Sequence, residues 1–130
     1  KQGEIKYLAL PNIEAVGDGE ILRADLKIED VNWIKDEEFR KPNVLVQNAK
    51  TASAGNRLEI FGKLINGDAA PIASAVVLAV LYDNRGNIAG ISQTELENIA
   101  SGETREFTAV HPFTEVNVSA TRLFVYALRL

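Results

Sequence analysis

The chain has 130 residues, which is enough for one domain and short for two. With 46% hydrophobic and 25% charged residues, its composition is that of a globular protein and excludes intrinsic disorder. The net charge is −4 and no Lys/Arg cluster is present, which argues against nucleic-acid binding because that needs many cations along one face. We expect a single domain over residues 1–130, with residues 1–19 as a candidate peripheral extension.

The residue types that the chain lacks limit its chemistry. It has no cysteine, which excludes thiol catalysis, zinc–thiolate sites and disulfides. No run reaches the ~20 apolar residues that span a bilayer, so no transmembrane segment is predicted in this chain. The chain begins at Lys1 and contains no Met. We therefore expect a processed or trimmed fragment whose signal peptide or membrane anchor lies upstream.

Alternation of polar and apolar residues predicts strands in the first half of the chain. A short strand is expected over Ile5–Leu10 and a longer one over Glu20–Asp30. The polar face of the longer strand is expected to comprise Arg23, Asp25, Lys27 and Glu29. The pattern breaks over Val31–Pro42, which predicts a loop or a short helical turn. Asn43–Asn48 is the next predicted strand, and the small and polar segment Thr51–Asn56 closes it.

The second half of the chain is more regular. Arg57–Asn66 alternates, and the almost wholly apolar Ala75–Asp83 predicts a central strand covered on both faces. Leu96–Ala100 has the composition of one helical turn. The remaining predicted strands are Asn87–Thr94, Thr104–Val110, with Phe107 as an inward anchor, and Thr121–Leu128. About seven to eight strands and no long amphipathic helix indicate an all-β, immunoglobulin-like antiparallel sandwich.

Three turns separate the later strands. Asn66-Gly67-Asp68 is the first, where Asn and Gly tolerate positive φ. Asn84-Arg85-Gly86 is expected to be a three-residue hairpin loop with Gly86 in the left-handed conformation. There Asp83 would accept hydrogen bonds from the following backbone N–H groups. Ser101-Gly102-Glu103 is the third turn.

The stretch Leu58–Phe107 carries a set of turn and core residues at characteristic places. They are Gly62-Lys63-Leu64-Ile65-Asn66, then Leu81-Tyr82-Asp83 with Gly86, then Gly102-Glu103 and Phe107. This pattern resembles the FxLYD family of bacterial and archaeal extracytoplasmic domains, except that Ala79 stands where the family has its first Phe. The resemblance implies an immunoglobulin-like sandwich on an exported, often membrane-anchored, envelope protein or lipoprotein. It implies no catalytic residue.

His111 is the only histidine and the one candidate general base. Catalysis would need a carboxylate and a nucleophile in matching geometry, and no Gly-x-Ser-x-Gly elbow accompanies it. A residue at a strand end before Pro112, with its ring half exposed, explains it better. Glu59, Asp25, Glu95 and Glu106 are all expected on polar strand faces, which gives no pair of catalytic carboxylates.

Two acidic segments are candidates for calcium sites. Asp36-Glu37-Glu38, with Asp30 upstream, lacks the alternate spacing that lets a loop wrap a cation, so a solvated loop is favoured. The loop Asp83–Asn87 lacks a distal Glu and carries a central Arg85, so the hairpin turn is favoured there as well. No metal, cofactor or catalytic residue is predicted.

Aromatic residues supply the candidate contacts with a partner. Most aromatic residues of a small sandwich belong to its core, but Trp33 and Phe39 flank the acidic loop outside any clean strand pattern. We therefore expect these two as surface contacts. The Asn117-Val118-Ser119 sequon has meaning only in a eukaryotic secretory protein.

The sequence thus predicts a non-catalytic interaction or spacer module of an extracytoplasmic protein. Its partner is expected to be a protein that meets an edge strand or the Trp33–Phe39 region. A carbohydrate-binding module, which needs two or more coplanar exposed aromatic rings on one sheet face, is the alternative and would have a polysaccharide partner. A hydrolase is the third hypothesis and needs a cleft with convergent polar groups.

Overall fold

The computed structural model describes Asp25, Lys27, Glu29 and residues 41–112 and 117–129. Contacts divide the chain into a unit of residues 10–40 and a unit of residues 1–9 and 41–130. The three described residues of the first unit are exposed, as expected for the polar face of the predicted strand Glu20–Asp30, but they lie in no strand. Lys27 Nζ forms an ion pair with Glu29 Oε1. The predicted strand Ile5–Leu10 lies outside the described residues, and the single domain stays a prediction.

Residues 41–112 and 117–129 form two antiparallel sheets and contain no helix. The strands are β1 (Val44–Ala54), β2 (Arg57–Asn66), β3 (Ile72–Tyr82), β4 (Ile88–Ile99), β5 (Thr104–Pro112) and β6 (Ala120–Arg129). One sheet has the order β1-β2-β5 and the other the order β4-β3-β6. All neighbouring strands are antiparallel. The predicted all-β class is confirmed for this part of the chain.

The two sheets pack face to face around one apolar layer. Toward one end of the strands the buried core includes Leu64 of β2, Val77 of β3 and Phe107 of β5. Toward the other end it includes Ile60 of β2 and Leu81 of β3. Alternate residues of each strand supply these side chains because successive side chains point to opposite faces of a sheet. The arrangement is therefore a β-sandwich, and Phe107 is the inward anchor that the sequence predicted.

Strand β3 is covered on both faces, as its apolar run predicted. Val77 and Leu81 face the other sheet, whereas Leu78 and Val80 lie on the opposite side and are only 1% and 0% exposed. The strand is central, with β4 on one side and β6 on the other. Burial on both sides explains why this segment lacks the polar alternation seen in β2.

Two predicted elements differ from the structure. The segment Thr51–Asn56 was predicted to close a short strand, but β1 continues to Ala54 and turns only at Gly55-Asn56. The helical turn predicted over Leu96–Ala100 is wrong, because Leu96–Ile99 continues β4. Ile99 is fully buried in the core, so the burial of this residue, rather than local propensity, favours the extended conformation.

A β-bulge in β1 divides the strand into two halves. Between Gln47 and Lys50 the register with β2 gains one residue, and Asn48 adopts a left-handed φ of 54°. Gly62 lies opposite, where a Cβ would come within 3.0 Å of the Phe107 ring and 3.1 Å of the Gln47 carbonyl oxygen. Glycine at this position lets the Phe107 ring and the bulged backbone approach β2 closely.

Candidate functional site

The hairpin loop between β3 and β4 uses its own polar groups. Asp83 Oδ1 accepts hydrogen bonds from the backbone N–H groups of Arg85 and Asn87, both at 2.8 Å, and Oδ2 accepts one from Asn87 Nδ2 at 3.1 Å. The pKa of Asp83 lies below its ordinary value, mainly because the backbone and the side chain of Asn87 donate hydrogen bonds to its carboxylate. Gly86 has a φ of +83°. The predicted hairpin is confirmed, and the Asp83 carboxylate is engaged in holding it.

The chain turns at Asn66-Gly67-Asp68 as predicted, but side-chain hydrogen bonds of Asn66, and not a positive φ, account for the turn. Neither Asn66 nor Gly67 has a positive φ. Asn66 is instead fully buried. Its Nδ2 donates to the carbonyl oxygens of Ala70, Ile99 and Ala100 at 2.9, 3.2 and 3.0 Å, and its Oδ1 accepts from the Asp68 N–H at 3.0 Å. This one amide therefore joins the end of β2 to the β4–β5 turn.

At one side of the sandwich, β4 and β5 are bonded to each other across the two sheets. Ser92 Oγ donates to the carbonyl oxygen of Val110 at 2.7 Å. The Arg105 guanidinium donates to the carbonyl oxygens of Glu97 and Asn98 at 2.5 and 3.2 Å, and to the Glu103 carboxylate. We call this side the closed edge.

His111 lies at the closed edge, close to the end of β5. Its ring fills the space beside Gly90 of β4, where a Cβ would lie 2.6 Å from His111 Nε2. Nδ1 is buried and has no hydrogen-bond partner among the residues that the structure describes, so none of their carboxylates holds it as the carboxylate of a catalytic triad would. The packed position agrees with the interpretation of His111 as a strand-end residue.

At the other side of the sandwich, a cavity of about 550 Å³ opens between β1 and the start of β6. Its floor is apolar and is formed by Leu58, Ile60, Val118 and Leu123. Its rims are polar, and one hydrogen bond of 2.9 Å between the hydroxyls of Thr51 and Thr121 joins them. We call this cavity the β1–β6 groove.

The register explains how β1 forms one rim of the groove. Thr51 and Ser53 pair with Ile60 and Leu58, so their side chains point to the inner face of the sheet. Residues Gln47–Ser53 of β1 are all exposed. Among the described strands β1 pairs with β2 alone and lies at the end of its sheet. The groove thus places exposed residues of β1 beside an apolar floor.

The site residues predicted from the sequence fall outside this groove. Trp33 and Phe39, expected as partner contacts, lie outside the described residues, as does the acidic run Asp36-Glu37-Glu38 with Asp30. Among the residues that the structure describes, no group of three or more His, Asp or Glu side chains could hold a metal ion. Glu95 and Glu106 are exposed and Glu59 is bonded to Arg57, as expected for polar strand faces.

The two sheets differ in the aromatic residues of their outer faces: on β6, Phe124 and Tyr126 are half-buried at alternate positions of the same face, opposite to the inward Leu123 and Val125. On the outer face of the β1-β2-β5 sheet, Phe61 is 36% exposed and lines a shallow cavity of about 460 Å³ with polar neighbours such as Lys63 and Glu106. No second aromatic side chain lies beside it on the described part of this face. This face offers one ring instead of two.

The groove residues were missed because their sequence signal is weak. Thr51-Ala52-Ser53-Ala54 has the composition of a loop, yet it forms the outer half of β1. Its pairing with the strongly alternating β2 keeps it extended. A run of small residues directly before Gly55-Asn56 was the available indication of an exposed strand at this place.

Comparison of the chain with protein-family models, curated proteins and solved structures gave no match. In the part of the chain that the structure describes, no helix has the length and apolar character needed to cross a membrane.

Proposed function

We propose that the protein is a non-catalytic interaction module that binds a protein partner in the β1–β6 groove. The observation that carries this proposal is the contrast between the two sides of the sandwich. Several side-chain hydrogen bonds join the sheets at the closed edge, whereas one exposed hydroxyl pair joins the rims of the groove, where residues Gln47–Ser53 of β1 are exposed beside an apolar floor. A cavity of this size lies within the ~300–1,000 Å³ range of binding sites.

An immunoglobulin-like fold is part of this proposal. The strand orders β1-β2-β5 and β4-β3-β6 support it, because the chain crosses from one antiparallel sheet to the other after β2, β4 and β5, and such crossings are typical of immunoglobulin-like sandwiches. The residues that carry the FxLYD resemblance also have structural tasks here. Gly62 accommodates Phe107, Asn66 joins two turns, and Asp83 holds the β3–β4 loop.

A role in an exported or envelope-associated protein rests on the same resemblance. The family's motif residues serve turns and core, which suits a domain that presents a surface and performs no chemistry. The polar side chains of the described turns support that view, because Asp83, Glu103 and Asn66 are all bonded to the turns' own backbone groups. A spacer without a partner is the competing role within this proposal.

Photo-cross-linking from defined positions tests the proposal. A photoreactive phenylalanine analogue replaces Ser53 in the groove or, as matched control, the exposed Gln93 on the outer face of β4, in the full 130-residue chain. We expect a discrete protein adduct from position 53 in cells of the source organism and none from position 93. The additional substitution Val118→Arg, which places a charge on the apolar floor, should abolish the adduct.

Two results would contradict the proposal. Equal adducts from positions 53 and 93 would show contacts that do not depend on the groove, and no adduct from either position would favour a spacer. Far-ultraviolet circular dichroism of each variant establishes that the sandwich is intact before the comparison is made.

A further inference from the structure

The central strands of the two sheets differ in how far their outward side chains are buried. In the β1-β2-β5 sheet, the outward residues Phe61 and Lys63 of β2 are exposed. In the β4-β3-β6 sheet, the outward residues Leu78 and Val80 of β3 are only 1% and 0% exposed. Each central strand has a neighbouring strand on both sides. Position at the centre of a sheet therefore does not by itself explain the burial of Leu78 and Val80.

The outward apolar side chains of the β4-β3-β6 sheet lie side by side in its register. We call them the outer strip: Val76, Leu78, Val80, Ile91, Phe124 and Tyr126. The members on β4 and β6 are half-buried, and the marginal residues Gln93 of β4 and Leu128 of β6 are exposed. Burial is thus greatest along β3 and falls toward both margins. This profile indicates a cover that is narrower than the three-stranded sheet.

The described residues do not supply this cover. The other sheet packs on the inner face of β3, and every described turn lies at an end of the strands. The four residues between Pro112 and Asn117 are held at both ends and extend at most ~14 Å, which is too short to cross the middle of the sheet. The cover therefore belongs to the part of the chain before residue 41.

We propose that residues 1–9 are this cover and pack along the outer strip. Contacts place residues 1–9 in one compact unit with residues 41–130, whereas residues 10–40 form a separate unit. Nine extended residues span ~30 Å, which matches the length of β3 from Ser74 to Tyr82. The segment carries the apolar side chains of Ile5, Tyr7 and Leu8, which are the type that an apolar strip accepts.

The aromatic side chains on the described part of this face agree with an internal cover. Tyr82, Phe124 and Tyr126 each take part in a ring contact or in a polar or electrostatic interaction. The Arg122 guanidinium also lies 5.4 Å from the centre of the Tyr82 ring. An external ligand that needs free aromatic rings on this face would find them engaged.

This inference has a consequence for the surfaces of the domain. Residues 1–9 become part of the packed domain, and not the peripheral extension that the sequence suggested. The outer strip becomes a docking surface that the chain itself occupies. The inference does not depend on the proposed function, because the outer strip and the β1–β6 groove lie on opposite faces of β6.

Alkylation of two single cysteines on β3 tests the inference, since the chain has no cysteine of its own. Val80→Cys places a thiol on the outer strip and Val77→Cys places one between the sheets, and both positions are 0% exposed. Each is combined with Tyr7→Asp and Leu8→Asp in the full 130-residue chain. Successive side chains of an extended segment point to opposite faces, so one of the two charges meets the outer strip. Mass spectrometry follows the reaction with iodoacetamide.

We expect the two aspartates to accelerate alkylation at position 80 by about tenfold or more and at position 77 by less than about twofold, because the cover opens while the sandwich stays folded. Tyr7→Phe with Leu8→Ile keeps the segment apolar and should change both rates by less than about twofold. An unchanged rate at position 80 would overturn the inference. Equal acceleration at both positions would overturn it too, because the segment would then hold the whole sandwich together.

The same charges in another segment distinguish residues 1–9 from the rest of the chain before residue 41. Trp33→Asp with Ile34→Asp is combined with each cysteine, and we expect less than about twofold acceleration at position 80. Acceleration by this pair, without acceleration by the pair at positions 7 and 8, would assign the cover to residues 10–40 and overturn the inference. The adduct expected from position 53 in cells is judged separately and is unaffected by either result.

Discussion

The two sides of this sandwich differ in the side-chain hydrogen bonds that join one sheet to the other. At the closed edge, Ser92 and Arg105 donate side-chain hydrogen bonds from one sheet to backbone carbonyls of the other. At the β1–β6 groove, the hydroxyl pair Thr51–Thr121 joins the rims above an apolar floor. The difference teaches that the two edges of the sandwich are joined to different extents. Ser92 and Arg105 together donate three hydrogen bonds across the closed edge, whereas one exposed hydroxyl pair crosses the groove, where Gln47–Ser53 of β1 are exposed.

The largest expected loss of stability follows Asn66→Ala. The substitution removes the donor that Ala70, Ile99 and Ala100 share. The bond to Ile99 is buried and the other two are partly buried, and a buried carbonyl without a partner costs ~1–3 kcal/mol. We expect a decrease of about 2–4 kcal/mol in the free energy of unfolding, measured by urea denaturation. Asn84→Ala in the exposed β3–β4 loop is the control and should change it by less than about 0.5 kcal/mol. A loss below ~1 kcal/mol for Asn66→Ala would contradict this account.

Gly90→Ala tests the packing of the closed edge. The new Cβ would meet the His111 ring at 2.6 Å, so the ring must move out of its place beside β4. Overpacking of this kind costs about 1–3 kcal/mol. In the double variant with His111→Ala the cost of Gly90→Ala should largely disappear, because the ring that it displaces is gone. Additive effects in a double-mutant cycle would show that the two residues do not compete for this space.

A matched pair of hydroxyl removals compares the two edges directly. Ser92 is 7% exposed and its hydroxyl bonds to Val110, whereas Thr121 is bonded to Thr51 at an exposed site. Ser92→Ala should cost about 1 kcal/mol, and Thr121→Val about 0.5 kcal/mol or less, because water replaces an exposed hydrogen bond more readily than a buried one. Thermal unfolding of both variants measures the difference. An equal or reversed order would remove the distinction between the edges.

The closed edge should also be sensitive to acid. The hydrogen bond from Arg105, together with the Ala100 N–H, lowers the pKa of Glu103 below its ordinary value of 4.5. The unfolded chain therefore takes up this proton first as the pH falls. The stabilising contribution is complete above pH 4.5 and is lost as the pH falls through the lowered pKa of the folded state. Glu103→Gln should flatten the fall of unfolding free energy below pH 4.5, and an unchanged pH profile would contradict this assignment.

How much of this could be read from the sequence depended on the strength of local patterns. The bounds of β2 and the conformation of Gly86 were predicted because alternation and turn chemistry are local properties. The extension of β4 through Ile99 was missed because burial against the other sheet, a non-local effect, decides it. The role of Asn66 was also non-local, since its amide bonds to Ile99 and Ala100 far along the chain.

The groove could not be predicted for a similar reason. Its floor combines Leu58 of β2 with Val118 and Leu123 from the far end of the chain, and only the stacking of the two sheets brings them together. Trp33 and Phe39 were chosen as partner contacts because they lay outside strand patterns. That prediction stays a prediction, because both lie outside the described residues.

The rate at which two single cysteines react with a maleimide tests the difference between the edges most directly, since the chain has no cysteine of its own. Val118→Cys places the thiol on the groove floor, and Ser92→Cys places it at the closed edge. Under native conditions we expect position 118 to react about a hundredfold faster or more, because position 92 needs an opening of the fold and such openings cost free energy. Equal rates, or faster reaction at position 92, would contradict an open groove opposite a closed edge.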